Sequence, residues 1–109
     1  MAKFLALYMG NGQPPVQPSP DDIQRGMAAW TKWMADHASI VTDTGGPLGK
    51  TKKASKAGIS DGSNHVAGYV VVEAASHEAA AKLFENHPHF AIFPGDSVEI
   101  MPVMPIPGS

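Results

Sequence analysis

The stretch "AGYVVVEAASHEAAAKLFENHP", Ala67 to Pro88, contains a strand, a helix and a helix stop in direct succession. Its first part combines an aromatic residue with three valines, a composition that favours a β-strand. Ser76 then stands where a helix N-cap is preferred, and an alanine-rich segment follows. Pro88 ends this second helix because proline has no backbone N–H and crowds the preceding turn. The stretch predicts a strand followed by a helix that runs to His87.

The N-terminal part of the chain predicts the same two elements. In "KFLALYM", Lys3 to Met9, apolar side chains fall on both faces of a strand, which is typical of the middle of a sheet. Ser19 and Pro20 then provide an N-cap and a first helical position. This first helix should run to Asp36 or His37. Its apolar residues recur at spacings of four, three and four and predict one buried stripe: Ile23, Met27, Trp30 and Met34.

Three further segments complete the fold prediction. Residues 40–42 predict a short strand, residues 50–64 an exposed β-ribbon ending in the Asp61-Gly62 turn signal, and "SVEIMPV" at 97–103 the last strand. The order is strand, helix, strand, strand, helix, strand. We therefore expect an α+β protein, a ferredoxin-like βαββαβ domain with an added β-ribbon, over residues 1–104. Residues 105–109 predict an extended C-terminal tail.

Alternation along the strands predicts a second apolar face on the sheet. Phe4, Ala6 and Tyr8 share one face of the first strand, whereas Leu5 and Leu7 share the other face with Met9. Both helices would cover only one of these faces. Since an exposed apolar patch of this size is unusual in monomers, we expect a homodimer in which the open faces pack together.

Composition limits the classes of partner and location. The chain has 109 residues, a formal net charge of −2 and no cysteine. This charge gives no electrostatic reason to expect nucleic acid or an anionic membrane as a partner. The lack of cysteine removes disulfides, thiolate metal sites and cysteine nucleophiles, and a cytoplasmic location fits best.

The motifs above, in this order, resemble those of the YCII-related family, which includes the DGPF-domain proteins. The matching segments are "FLALYMG", "WTKWM", "TGGPL", "SDG", "GYVVVEAASHEAAAKLFENHP" and "DSVEIMPV", and they span nearly the whole chain. The resemblance implies a dimeric α/β barrel built from ferredoxin-like units. It also implies a relationship to a chlorinated-aromatic dehalogenase. In addition, it implies that a paired His and Asp is the candidate active site of the family.

This sequence departs from that pattern in its candidate active site. The family's early helix-one histidine has no counterpart in residues 25–30, and His87 stands where the family places Asp. Ser63 and Asn64 replace the Pro and Phe of the DGPF signature. The His and Asp pair therefore cannot be transferred to this chain.

The segment "NHPHF" supplies the candidate catalytic residues. His89 or His87 could act as a general acid or base, oriented by Asp61 or Glu99, because imidazole titrates near neutral pH. The structural alternative makes His87 a helix C-terminal residue that suits the helix dipole and His89 a loop residue. A metal site would need further converging ligands such as Asp96 or Glu99, and the spacing matches no metal motif, so none is expected.

Further candidate ligand-binding residues are Trp33, Tyr69, His87 and Glu99. Trp33 lies beside the predicted stripe and is the tryptophan expected to border a cavity, whereas Trp30 is expected in the core. Glu99 lies on the strand face assigned to the dimer, where Tyr69 could donate to it; the alternative is a solvated rim. The glycine pairs lack a nucleotide-binding pattern, and no cofactor is expected.

Three functions remain open at this point. The first is a small homodimeric protein that binds a small organic molecule in a pocket near the dimer interface, between the helices, the sheet and the loop at 88–96. The second is an enzyme that acts on a small organic substrate without metal or nucleotide, with His89 as acid or base. The third is a dimerisation or docking module that uses the lysine ribbon and the C-terminal tail.

Overall fold

The computed structural model describes residues 1–14 and 16–108. Six strands and three helices follow one another in these residues. In chain order they are β1 Ala2–Met9, α1 Pro20–Asp36, β2 Val41–Pro47, β3 Thr51–Ser55, β4 Gly58–Gly62, β5 Val66–Ala74, α2 His77–Lys82, α3 Pro88–Ala91 and β6 Ser97–Pro102.

Four of the strands form one antiparallel sheet in the order β2-β5-β1-β6. The central strand β1 pairs Ala6 with Val70 of β5 on one side and with Ile100 of β6 on the other. The helix α1 connects β1 to β2, and α2 with α3 connects β5 to β6. This topology confirms the predicted α+β, ferredoxin-like fold.

The core lies on the helix side of the sheet. Phe4, Ala6 and Tyr8 of β1 are buried, as are Val70 and Val72 of β5, and they pack in one cluster with aromatic side chains of the helical layer. Leu5, Leu7 and Met9 alternate with the buried residues and are only half-buried. The predicted assignment of strand faces is therefore confirmed.

The buried stripe of α1 differs from the prediction by about one position. Gly26 and Trp33 are the buried residues of this helix, whereas Ile23 is 38% and Met27 56% exposed. Glycine carries no apolar signal in a sequence pattern, yet at Gly26 it allows the Phe93 ring to approach the helix backbone. Three residues of the predicted stripe, Met27, Trp30 and Met34, instead line the cavity described below.

The second helical region ends earlier than predicted. Helix α2 ends at Lys82 and a series of turns follows, in which Asn86 adopts a left-handed conformation with φ of 56°. Pro88 disfavours a helical conformation for the preceding residue, and His87 is accordingly extended. His87 is thus not the C-terminal residue of a long helix but the N-cap of the short helix α3.

The ribbon and the tail lie outside the sheet. Among the described residues, β3 and β4 pair only with each other. Their turn lies at Lys56 and Ala57, whereas Asp61 and Gly62, predicted as a turn, are the last two residues of β4. Residues 103–108 are exposed and contain no helix or strand, and Ser109 of the predicted tail lies outside the described residues. Within the described residues, no helix has the length and apolar character needed to cross a membrane.

Candidate functional site

A cavity of about 330 Å³ lies between α1, the sheet and the segment that follows α2. We call it the ring cavity because several ring-bearing residues line it, among them Tyr8, Trp30, His89 and Phe93. The remaining wall comes from α1 and from the β2–β5 edge of the sheet: Met27, Met34, Thr44, Gly46, Pro47, Ala67, Gly68 and Tyr69. Most of these residues are apolar, so the cavity suits a ligand that is itself largely apolar.

Two glycines allow rings of the cavity wall to pack closely. A methyl group on Gly26 would lie 2.5 Å from the Phe93 ring, and one on Gly95 would overlap the His89 imidazole. Real carbon atoms do not approach so closely, so both positions must lack a side chain if the rings are to stay in place. The chain thus fixes Phe93 against α1 and His89 against the loop at 94–96.

Backbone hydrogen bonds determine which nitrogen of His89 carries the proton. Its Nε2 lies 2.8 Å from the Met9 carbonyl oxygen. A carbonyl can only accept, so Nε2–H is the donor and Nδ1 keeps the lone pair of the neutral ring. The geometry therefore leaves Nδ1 as the ring nitrogen that can accept a proton from another molecule.

His87 is completely buried behind the ring cavity and held among aromatic rings. Its ring centroid lies 4.7 Å from that of Trp30, 5.0 Å from Trp33 and 5.2 Å from Tyr8. Burial, with smaller contributions from His89 and His37, lowers the pKa of His87 to about 4. At neutral pH the ring is therefore uncharged.

The neutral His87 ring has one defined tautomer. Its Nδ1 accepts the backbone N–H of His89 at 3.0 Å, which caps α3. Since a backbone N–H can only donate, Nδ1 carries the lone pair and Nε2 carries the proton. His87 Nε2–H thus points a donor into the aromatic cluster.

Two polar groups in this cluster lack a partner. Among the described residues, neither the Tyr8 hydroxyl nor His87 Nε2 makes a hydrogen bond, and both atoms are buried. Burial also raises the pKa of Tyr8, so its phenol stays protonated and can donate. A buried donor without an acceptor is unfavourable, so an oxygen atom supplied from outside the chain would stabilise this arrangement.

The structure brings together some of the residues predicted for the site. His89 and Tyr69 line the ring cavity, and His87 packs behind it against Tyr8. By register, Tyr69 pairs with Leu7, which lies on the open face of the sheet.

Three other predicted site residues lie elsewhere. Trp33 belongs to the core, where its indole N–H donates to the Leu83 carbonyl at 2.9 Å. Trp30 lines the cavity in the position that was predicted for Trp33. Asp61 forms an ion pair with Lys52 on the exposed ribbon. Glu99 is exposed opposite Leu7, on the other side of the sheet from His89.

Sequence reasoning did not select Tyr8, Trp30 and Phe93 as site residues. Tyr8 lies on the buried face of a strand, where alternation predicts only core packing. Phe93 lies in a segment without helical or strand periodicity in its apolar residues, so no sequence pattern indicates where its side chain points. The one available signal was Gly26, which faces the Phe93 ring, and a glycine in a sequence does not identify its neighbour.

The described residues contain no group of three His, Asp or Glu side chains placed to hold a metal ion. His89 uses Nε2 for the Met9 carbonyl and His87 uses Nδ1 for the α3 cap. Each of these two rings therefore already has one nitrogen in a hydrogen bond with the backbone.

Comparisons with known proteins identify a structural neighbour. No family model matches the sequence, and no curated protein matches it. Among solved structures, the chain is similar to 5-chloro-2-hydroxyhydroquinone dehydrochlorinase (TftG) from Burkholderia phenoliruptrix AC1100 in complex with 2,5-dihydroxybenzoquinone. The TM-score is 0.54 and the identity 16%, over 91% of this chain and 90% of the other. This likeness shows a shared fold.

Proposed function

We propose that this protein binds a small ring-containing organic molecule in the ring cavity, and that the molecule presents an oxygen atom to the buried donors. The observation that carries the proposal is the pair of unpartnered groups, the Tyr8 hydroxyl and His87 Nε2, packed beside an apolar cavity. Ligand sites combine these two features, since apolar walls supply affinity and a few polar groups fix orientation.

The walls favour a flat ring over an aliphatic chain. The Tyr8 and Trp30 centroids lie 4.9 Å apart with a tilt of 56°, and Trp30 and Phe93 lie 6.1 Å apart with a tilt of 57°. Aromatic pairs at such distances gain from edge-to-face or offset contacts, and a ligand ring would make the same contacts. The neutral state of Tyr8 and His87 favours a neutral or weakly acidic oxygen.

The structural neighbour supports the same class of ligand. TftG is described in complex with 2,5-dihydroxybenzoquinone, a six-membered ring with hydroxyl and carbonyl oxygens. The sequence motifs shared with the YCII-related family point in the same direction. We therefore propose that the chain is a YCII-like, cytoplasmic member of this fold that binds a small organic molecule.

Calorimetric titration with 4-hydroxybenzamide tests binding in the ring cavity. Met27 lines the cavity and is 56% exposed, so a Met27→Trp variant should fill the space without disturbing the core. We expect it to weaken binding at least tenfold. Thr31→Trp adds the same ring at an exposed position of α1 that does not line the cavity and should bind as the wild type does.

Two results would count against the proposal. Equal binding to the two tryptophan variants would place the ligand elsewhere. If the protein bound neither 4-hydroxybenzamide nor 2,5-dihydroxybenzoquinone, the proposed class of ligand, a small ring with an oxygen atom, would be excluded.

A second candidate function, an enzyme with His89 as general base, has its own supporting observation. The Met9 carbonyl holds His89 in the tautomer with an unprotonated Nδ1, which has no hydrogen bond among the described residues, and His89 lines the ring cavity. This carbonyl takes the orienting role that the sequence suggested for Asp61 or Glu99. Nδ1 could accept the proton of an acidic hydroxyl group on the ligand.

Turnover of candidate substrates by the wild type and by His89→Gln tests this second function. An enzyme of this kind should lose at least a hundredfold in kcat/KM in the variant, because general base catalysis typically contributes that much. Full activity in His89→Gln would exclude His89 as the base while leaving binding intact.

We further propose that the open face of the sheet packs against a second copy of the chain. Leu5, Leu7, Tyr69 and Val71 lie on the two central strands of this face and are only half-buried in one subunit. Central strands usually have both faces covered. The ring cavity lies on the helix side, so each subunit would carry a ligand site of its own.

A further inference from the structure

A second cavity adjoins the ring cavity and has a different chemical character. Its volume is about 630 Å³, and we call it the loop cavity because residues 10–14 and 16, 63–67 and 93–95, in loops and at the start of β5, form most of its wall. Ala67, His89 and Phe93 line both cavities. The two cavities therefore share part of their lining, in which His89 is the polar side chain.

The loop cavity has more polar groups in its wall than the ring cavity, but no carboxylate, ammonium or guanidinium group among the described residues. Among the described residues that line it, none is Asp, Glu, Lys or Arg. Its polar side chains carry amide, hydroxyl or imidazole groups: Asn11, Gln13, Ser63, Asn64, His65 and His89. Such a surface can exchange hydrogen bonds with a neutral group and offers no ammonium or guanidinium group to balance an anion.

The wall of the loop cavity is held in place by its own contacts. Asn64 accepts the backbone N–H of Val66 at 3.0 Å, and the Gly10 N–H donates to the His65 carbonyl at 2.7 Å. A methyl group on Gly12 would lie 2.8 Å from His65 Nε2, so this loop packs directly on the His65 ring. The polar groups are thus fixed by the fold before any ligand binds.

We propose that the two cavities form one composite site for a ligand with an aromatic ring and an uncharged polar arm, the ring in the ring cavity and the arm in the loop cavity past His89. This inference rests on the proposed function, since it assumes that a ring occupies the first cavity. It extends that function by naming the shape and charge of the ligand. An arm that carries a carboxylate should be disfavoured, because the loop cavity has no cationic partner for it.

Three probes of related structure test the proposal by calorimetry. 4-Hydroxybenzamide has the ring alone, its N-(2-hydroxyethyl) derivative adds a neutral arm, and its N-(carboxymethyl) derivative adds a charged arm of similar length. We expect the neutral arm to tighten binding about tenfold, which corresponds to about one or two new hydrogen bonds. The charged arm should bind no tighter than the ring alone.

A matched pair of variants locates the arm. Ser63→Phe narrows the loop cavity, whereas Ser60→Phe places the same ring on the exposed face of β4, away from both cavities. Ser63→Phe should abolish the tenfold advantage and leave the affinity for 4-hydroxybenzamide unchanged. Ser60→Phe should preserve both values.

The possible failures can be told apart. If the ring probe binds and the neutral arm adds nothing, or if Ser63→Phe leaves the advantage intact, the composite site is wrong and the ring cavity stands. If no probe binds the wild type, the proposed function itself fails and the composite site falls with it.

Discussion

His87 combines more structural and chemical roles than any other residue described at the site. It caps α3 through Nδ1, keeps a proton on Nε2 and is completely buried among aromatic rings. The cap and the burial both require the neutral ring. Protonation would place a positive charge in the core and remove the acceptor that caps the helix carrying His89.

This state of His87 predicts an acid-sensitive fold. Burial lowers its pKa from the ordinary 6.5 to about 4 in the folded protein, so the unfolded chain binds the proton more readily. Stability should be highest above pH 6.5 and should fall by up to about 1.4 kcal/mol per pH unit between 6.5 and 4. Urea unfolding of the wild type and His87→Asn checks this, because Asn keeps a capping acceptor but does not titrate. Equal slopes for both proteins would contradict a neutral buried His87.

For single residues, the sequence predicted which residues belong to the site more accurately than it predicted their roles. It selected His87 and His89 because two histidines flank a proline where a helix should stop. It could not show that Asn86 adopts a left-handed conformation and turns His87 inward. Trp33 and Trp30 exchanged their expected places because the indole N–H of Trp33 finds a carbonyl 50 positions away, at Leu83.

Asn86 is the point at which the α2 region gives way to α3. Its φ of 56° suits glycine and is tolerated by asparagine, whereas alanine is strained there. Asn86→Ala should lower the free energy of unfolding by about 1 kcal/mol, and Asn86→Gly should stay within about 0.5 kcal/mol of the wild type. Urea unfolding at pH 7 measures both values. An alanine variant as stable as the glycine variant would show that the turn relaxes.

The contact between α1 and the Phe93 segment sets the shape of the ring cavity. Gly26→Ala should raise the helix propensity of α1 by about 1 kcal/mol, but its methyl group must displace the Phe93 ring. We expect a stability close to that of the wild type together with about tenfold weaker binding of 4-hydroxybenzamide. Gly49→Ala, whose methyl group would meet no neighbour, is the matched control. Unchanged affinity in Gly26→Ala would show that Phe93 does not define the cavity.

At the scale of elements, patterns of period two were more reliable than patterns of period 3.6. The faces of β1 and β5 agree with the prediction residue by residue, because successive side chains of an extended strand point to opposite faces. The buried face of α1 was misplaced, since Gly26 gives no apolar signal and Phe93 contacts it from a distant segment.

For the whole molecule, the open sheet face predicts the oligomeric state. Leu7→Arg places a charge at the centre of that face, whereas Ile59→Arg changes an 81% exposed residue of the ribbon. Light scattering coupled to size exclusion should give twice the chain mass for the wild type and for Ile59→Arg, and a folded monomer for Leu7→Arg. A monomeric wild type at micromolar concentration would contradict the dimer.

The topology of the molecule was predictable, whereas the cavities were not. The order of strands and helices follows from local patterns that each segment carries by itself. The ring cavity instead depends on how α1, β1, β5 and the loop at 89–95 meet in space. No local sequence pattern specifies how these elements are placed relative to one another. The sequence could therefore predict a site near His89 but not the residues that line it.

The most direct test of ligand binding in the ring cavity uses the two tryptophans of the chain as reporters. Trp30 lines the ring cavity, and Trp33 lies in the core with its indole N–H bonded to the Leu83 carbonyl. In a ¹H–¹⁵N NMR titration with 4-hydroxybenzamide, the indole signal of Trp30 should shift to saturation while that of Trp33 stays nearly fixed. Two unmoved indole signals, or a saturable shift confined to Trp33, would contradict the account.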